Sequence, residues 1–181
     1  EIYDYLKLLF SRIGKTISPI SQKEVKHHTV QDVVDYISSF KEQTKLAICI
    51  PLSVSETENL FTQLENFSKR GNTRIEISGN FYKITDLLSG KHNLPKNTEV
   101  INIVIDRLVV NDSDEFKSRV ADSAQSAFNE SDGRCIVKAF DENITTEEFS
   151  NKFEADGISF EEPSQHMFDF NSPLGACETC G

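Results

Sequence analysis

The residues best suited to chemistry are Cys177 and Cys180, which have two residues between them. This CxxC spacing supplies half of a tetrahedral zinc site, and a closed structural site needs four ligands. The chain has no second CxxC, and nothing in the spacing of Glu154, Asp156 or His166 recommends them as the missing ligands. The pattern therefore favours a free, reduced pair of thiols and leaves a zinc site as the alternative.

The other motifs of enzyme active sites are absent from the sequence. It contains no GxxxxGK[ST], GxGxxG, GxSxG or HExxH pattern. Its acidic clusters, such as Glu161 with Glu162, are typical of solvated surfaces and helix caps. Cys49 and Cys135 lie in apolar, strand-like runs and are predicted to be small buried side chains. Without a disulfide framework, the expected location is a reducing cytoplasm.

Composition indicates a globular domain with an acidic surface. The 181 residues contain 19 Lys and Arg against 29 Asp and Glu, for a net charge of −10. This balance argues against a nucleic-acid-binding surface, which needs clustered cations to neutralise phosphates, and suits a partner with a basic face. No apolar run approaches the length of a membrane span, so no membrane contact is expected. The sequence begins with Glu and stops one residue after Cys180, so both ends are expected to continue in a longer protein.

The elements that position any site are organised around a central strand predicted at 99–110. Its β-branched residues alternate with the two-residue period of a strand. One face is predicted to carry Ile101, Ile103, Ile105 and Val109, and the other Val100, Val104, Leu108 and Val110. A strand that is apolar on both faces needs cover on both. Arg107, near the strand's end, is either an ion-pair partner at the rim or a recognition residue.

The remaining pattern predicts an α+β fold, in which a mixed β-sheet is packed with helices. Helices are predicted at 2–13, after the N-cap Thr29, around Leu64, and after Asn111-Asp112. Strands are predicted at 45–50, 99–110 and 134–140, with a hairpin of 74–77 and 81–84. From 142 onward the pattern weakens, with a possible short helix at 145–153 and an irregular tail. The first helix and this tail are expected to belong to neighbouring domains.

The predicted hairpin carries a second arginine of interest. Ile75 and Ile77 alternate onto one face of its first strand, and Arg74 and Glu76 alternate onto the other. The second face is predicted to be exposed to solvent. Arg74 could therefore pair with Glu76 within the fold or remain available to a partner.

Several motifs together resemble the UvrA family, the A subunits of the bacterial excinuclease. They are the opening EIYDYLKLLFSRIG, the central VIDRLVV and the closing FDFNSPLGACETCG. The segments TVQDVVDYI and RVADSAQSAF and the GxxR hairpin Gly71–Arg74 follow in the same order. The resemblance covers nearly the whole chain. It implies a DNA-damage-sensing, DNA-dependent ABC-type ATPase of nucleotide excision repair, which acts as a homodimer and uses ATP and zinc.

The resemblance also implies a division of the chain. Residues 1–15 correspond to a helix of the first signature domain, 16–141 to an inserted domain that docks the B subunit, UvrB, and 142–181 to a return segment with a degenerate zinc module. Neither the Walker A motif nor LSGGQ occurs in these residues, so no catalysis and no cofactor is expected here. DNA is expected to be bound through other domains of the parent protein.

Specific residues follow from the resemblance. Arg74 and Arg107 correspond to arginines that meet the B subunit. The family's first zinc-ligand pair, CPxCG, corresponds to Phe153-Glu154-Ala155-Asp156-Gly157, so that pair is absent and Cys177 and Cys180 supply only half of the zinc site that the resemblance implies. The alternative to a docking domain is a small α+β ligand-binding or catalytic domain with an unrecognised site.

Overall fold

The chain forms two units in a computed structural model that describes residues 2–52, 60–91, 100–141 and 143–176. Residues 28–151 form one unit, here called the sheet unit. Residues 1–27 and 152–181 form the other, here called the terminal unit. Cys177 and Cys180 lie outside the described residues. None of the helices within these described ranges is long and apolar enough to cross a membrane.

The helices and strands alternate irregularly along the chain. The helices are α1 (Ile2–Ile13), α2 (Val30–Ser38), α3 (Leu60–Lys69), α4 (Ile84–Leu88) and α5 (Asp114–Glu130). The strands are β1 (Thr16–Ile17), β2 (Glu24–Val25), β3 (Lys45–Pro51), β4 (Arg74–Ile77), β5 (Asn80–Lys83), β6 (Asn102–Val109), β7 (Arg134–Phe140), β8 (Ile144–Ser150), β9 (Glu154–Ala155) and β10 (Ile158–Ser159). A 3₁₀ helix spans Gln165–Phe168.

The sheet unit contains a six-stranded sheet in the order β5-β4-β6-β3-β7-β8. The α+β class is confirmed, and within it the described strand pairs are antiparallel rather than mixed. Helices α2 to α5 contribute to one hydrophobic core with one face of the sheet. Each fully buried Ile, Leu or Phe in that core contributes about 1.5–3 kcal/mol relative to an exposed side chain.

Helices α2 and α5 form where their sequences predict them. Thr29 caps α2 through a reciprocal pair of hydrogen bonds with Asp32, and Val33, Val34 and Ile37 are buried. Helix α5 begins at Asp114 and is capped by the Ser113 hydroxyl. Its apolar stripe is buried, namely Phe116, Val120, Ala124, Ala127 and Phe128.

A β-bulge in β6 changes the predicted faces of the central strand. Ile48 of β3 lies opposite Asp106, whereas the next residue, Cys49, lies opposite Val104, so Ile105 is the extra residue. Leu108 therefore joins Ile103 on the helix-covered face, and Val109 joins Val104 on the other. The predicted alternation is wrong beyond the bulge, because an extra residue reverses every later side chain.

Two further predictions are wrong. Residues 144–150 form the edge strand β8, not a helix, and its Ile144, Thr145 and Thr146 are β-branched residues that favour strands. Ile84, predicted as the end of the second hairpin strand, instead begins the short helix α4 (Ile84–Leu88). The β8 strand also brings Ser150 to the start of α2, where its carbonyl accepts a 2.7 Å hydrogen bond from the backbone N–H of His28.

The face of the sheet opposite the helices is concave. The Phe81 ring of β5 contacts the Phe140 ring of β7 with 5.2 Å between centroids, although three strands separate β5 from β7. Gly79, in the β4–β5 turn, lies so close to β8 that a Cβ atom added to it would be 2.5 Å from Ile144 Cδ1. Ser78 and Gly79 both have positive φ, as a two-residue type I′ hairpin turn requires. The sheet is therefore curled enough for its two edges to approach each other.

Glu76 is buried on this concave face, contrary to the expectation that it faces solvent. Its side chain is 0% exposed, and Oε2 accepts hydrogen bonds from Lys138 Nζ at 2.6 Å and from Asn102 Nδ2 at 2.7 Å. Oε1 accepts a 2.6 Å bond from the Gly79 N–H. Burial alone would raise the pKa of Glu76, but these hydrogen bonds outweigh it and hold the pKa below its ordinary value. Glu76 is therefore an ionised group within the fold.

The terminal unit joins segments from the two ends of the chain. In one contact, α1 packs on the 3₁₀ helix: Tyr3 donates a 2.8 Å hydrogen bond to the Phe168 carbonyl, and Lys7 pairs with Asp169 at 3.0 Å. In another, the Asp156-Gly157 turn between β9 and β10 reaches the β1–β2 hairpin. Asp156 Oδ2 there accepts hydrogen bonds from the hydroxyls of Ser18 and Ser21 and from the Ser21 N–H.

We predict that Glu76→Gln destabilises the sheet unit by about 3–5 kcal/mol, because it leaves the Lys138 ammonium, whose side chain is 12% exposed, without its counter-ion. The double variant Glu76→Gln/Lys138→Met removes both charges and should recover part of that loss. Urea unfolding followed by circular dichroism measures both effects. A single variant as stable as the wild type would contradict this account of the pair.

The same pair predicts a direction for pH dependence. A carboxyl group whose pKa is lowered by folding stabilises the fold above its unfolded pKa, and this contribution is lost as the pH falls through the folded pKa. Wild-type stability should therefore fall in acid below the ordinary Glu pKa of 4.5. Glu76→Gln should show a smaller fall over the same pH range.

Candidate protein-docking face

Arg74 and Arg107 both lie on the concave face. Arg74 begins β4 and alternates with Glu76 onto this face, where it is half-buried. Arg107 lies in β6 opposite Ala47, whose side chain belongs to the concave-face cluster, and is exposed. The two arginines predicted as partner-binding residues are thus placed on one surface by separate strands.

The acids that could satisfy these arginines within the fold are engaged elsewhere. Glu76 binds Lys138 rather than Arg74. Asp106 faces the opposite side of β6, where it accepts two hydrogen bonds from the Arg119 guanidinium of α5 at 2.7 and 2.8 Å and one from Ser123. Among the described residues, no carboxylate lies within 4.0 Å of either the Arg74 or the Arg107 guanidinium. Two planar donor groups are therefore available on the concave face.

Asp106 shows why Arg107 is left without an internal partner. Burial alone would raise the pKa of Asp106, but the hydrogen bonds led by that from Arg119 lower it below its ordinary value. The bulge at Ile105 places Asp106 beside α5, and its neighbour Arg107 necessarily projects from the other face of the strand. The charge of Asp106 is thus neutralised on the helix side.

An apolar groove of about 470 Å³ adjoins Arg107. It is lined by Lys45, Leu46, Phe81, Arg107, Leu108, Val109 and Phe140. Phe81 is 36% exposed and Val109 is 44% exposed, so both present apolar surface to the groove. Lys45 is exposed at the start of β3, and among the described residues its ammonium also has no carboxylate within 4.0 Å. The groove thus combines an apolar floor with two cations.

The described residues do not fit a zinc site. Phe153 occupies a position where the resemblance implies a cysteine ligand, and its ring packs on the His27 ring with 5.3 Å between centroids. Asp156 occupies the other such position, and its Oδ2 already accepts the hydrogen bonds from Ser18 and Ser21. In the described part of the chain, no group of three or more His, Cys, Asp and Glu side chains could hold a metal ion. At this turn, Asp156 accepts hydrogen bonds from serines where the resemblance implies a metal ligand.

Comparison with known proteins identifies the family. A model of the UvrA interaction domain matches residues 28–141, from α2 to β7. The chain belongs to the UvrA interaction domain family. It is 38% identical over 181 residues to UvrABC system protein A of Halalkalibacterium halodurans. It is 35% identical to the protein of that name in Staphylococcus aureus strain Mu50 and 33% identical to that of Malacoplasma penetrans. Each match covers 99% of this chain and 18% of the relative, so the chain spans about a fifth of their length.

Sequence reasoning missed most of the concave face of this UvrA interaction domain. Lys45, Phe81 and Phe140 belong to strands that are far apart in the sequence, and no spacing rule connects them. A partial signal was present, because Phe81 lies opposite Glu76 in the hairpin and therefore on the same face as Arg74 by strand alternation. Only the curl of the sheet brings Phe81 to Phe140.

We predict that the terminal unit depends on Asp156 and not on zinc. Asp156→Ala should increase proteolytic cleavage within residues 1–27 and 152–181, because the bond from the buried Ser18 hydroxyl loses its acceptor. Asp35→Ala is a matched control, since Asp35 lies on the exposed side of α2.

Metal analysis after purification without chelator should find no stoichiometric zinc. One zinc per chain, with unfolding on chelation, would overturn the prediction.

Proposed function

We propose that this UvrA interaction domain docks the B subunit of the bacterial excinuclease, UvrB, during nucleotide excision repair. The observation that carries the proposal is the pair of arginines on the concave face, each without a carboxylate partner among the described residues. The family match supports an interaction role. The names of the relatives support membership of a UvrABC system.

The chemistry of the face favours a protein partner over a nucleic acid. The chain carries a net charge of −10, so its overall field repels phosphate. Isolated arginines beside exposed aromatic and aliphatic side chains are instead typical of protein interfaces, where arginine and aromatic residues are frequent hot spots. Carboxylates of the partner are the natural acceptors, because a guanidinium can bind a carboxylate through two parallel hydrogen bonds.

The parent protein is proposed to be a DNA-dependent ABC-type ATPase that acts as a homodimer. ATP, zinc and DNA would then be bound by parts of the parent other than the sheet unit. Within the parent, the sheet unit would recruit the B subunit and would not take part in catalysis. The match over 18% of each relative is consistent with such a division of labour.

We predict that Arg74→Glu and Arg107→Glu each weaken binding of the B subunit by about 2–5 kcal/mol, if the guanidinium is buried against a carboxylate on docking. Both variants should fold, because neither side chain belongs to the hydrophobic core. Calorimetric titration of each variant against the B subunit measures the loss, and circular dichroism checks folding.

Arg70→Glu provides a matched control for these charge reversals. Arg70 lies just beyond the end of α3 and away from the concave strands, and its guanidinium lies 5.7 Å from the Phe67 ring centroid. Its reversal should leave the affinity near the wild-type value. If Arg74→Glu and Arg107→Glu also bind like the wild type, the docking face lies elsewhere on the domain.

The alternative is a small ligand-binding or catalytic domain. Its best location is a polar hollow of about 570 Å³ at the end of the sheet, between the α2–β3 and β7–β8 connections.

We predict no thermal shift with ATP, no ATP turnover and no sub-micromolar binding of duplex DNA at physiological salt, because the chain lacks a phosphate-cradling loop. A clear stabilisation by ATP or measurable turnover would favour the alternative.

A further inference from the structure

The apolar groove beside Arg107 has the chemistry of a specific pocket for part of the partner. Its floor includes the exposed side chains of Phe81 and Val109, and Arg107 and Lys45 supply positive charge at its margins. The groove is distinct from the site of Arg74, which does not line it. A partner side chain that covers this apolar surface removes it from water, and this burial favours binding.

Four strands of the curled sheet contribute to the shape of this groove. Phe81 and Phe140 are in ring contact, so one end of the apolar floor is fixed by two aromatic side chains from strands that are not neighbours. Val109 and Lys45 lie directly opposite each other in the β6–β3 pair, so strand register places this cation beside the other end of the floor. A groove whose lining is fixed before binding loses little conformational freedom when it is filled.

Charge identifies the kind of occupant. Lys45 and Arg107 have no carboxylate within 4.0 Å among the described residues, although acids outnumber bases in the chain by 29 to 19. An apolar segment without charge would leave both cations without partners at the margin of the interface. A segment that presents an apolar side chain next to carboxylates would cover the apolar floor and would also pair with both cations.

We propose that this groove receives an acidic segment of the B subunit, with one apolar side chain of that segment inserted between Phe81 and Val109. Carboxylates of the same segment pair with Arg107 and Lys45. The inference rests on the proposed docking function and extends it, because it names a second contact that is independent of Arg74. Arg107 contributes to both contacts, whereas Lys45, Phe81 and Val109 belong to the groove alone.

The test is calorimetric titration of Val109→Asp against the B subunit. A carboxylate at this position would make the apolar floor polar and would repel an acidic segment, so we expect at least a tenfold loss of affinity. Phe61→Asp is the matched control, because Phe61 is 47% exposed, lies on α3 on the other face of the sheet and does not line the groove. It should bind within about twofold of the wild type, since an exposed position away from the interface contributes little.

A second variant covers the case in which Val109→Asp fails to fold. Lys45→Glu changes an exposed side chain at the end of β3 and should also weaken binding at least tenfold. Its effect should shrink as salt is raised, because the lost interaction is electrostatic. Lys69→Glu, at the end of α3, is the control for charge reversal alone.

The outcomes separate the two proposals. If the wild type does not bind the B subunit, the proposed function fails. If Arg74→Glu weakens binding while Val109→Asp and Lys45→Glu do not, the docking function stands and the groove proposal is overturned. Sedimentation of the wild type and Val109→Asp tests a second copy of this chain as occupant. Self-association that is lost in Val109→Asp would overturn the proposed occupant.

Discussion

The ion pair between Glu76 and Lys138 connects strands that are not neighbours. Glu76 belongs to β4 and Lys138 to β7, and β6 and β3 lie between them. Neighbouring strands are about 4.8 Å apart, so three intervals in a flat sheet would separate these strands by roughly 14 Å. The 2.6 Å contact between their side chains is made by a long lysine side chain that reaches across the strands between them. The aromatic contact of Phe81 with Phe140, which crosses one strand more, and the approach of Gly79 to Ile144 require the sheet to be curved.

Burial of an ion pair costs desolvation energy, which its mutual attraction offsets only when the hydrogen bonding is good. Glu76 meets that requirement with three donors, namely Lys138, Asn102 and the Gly79 N–H. The apolar side chains around it, Ala47, Cys49, Val104 and Ile136, could pack in more than one arrangement of the strands. A charged group that is satisfied in only one arrangement makes the others unfavourable, and in this way a polar contact can select the curved form of a largely apolar surface.

Local patterns predicted the elements better than they predicted the surface. Strand β7 and the buried stripes of α2 and α5 follow from residues close together in the sequence, where hydrophobic period and capping act directly. The bulge at Ile105 could not be predicted, because it depends on the pairing of β6 with β3. Burial of Glu76 could not be predicted either, because an acid that alternates away from the core normally meets water. Arg74 and Arg107 were found through family resemblance, whereas Lys45, Phe81 and Phe140 become neighbours only through curvature.

The hydrogen bond from His28 to Ser150 places the first and last segments of the sheet unit side by side. A domain whose ends meet can be inserted into a host chain without separating the host residues on either side of it. The entropy of closing the host loop then depends on a short gap rather than on the 124 residues of the insert. The sheet unit thus begins and ends at one point of its own surface, and its size adds little to the entropy of closing the loop.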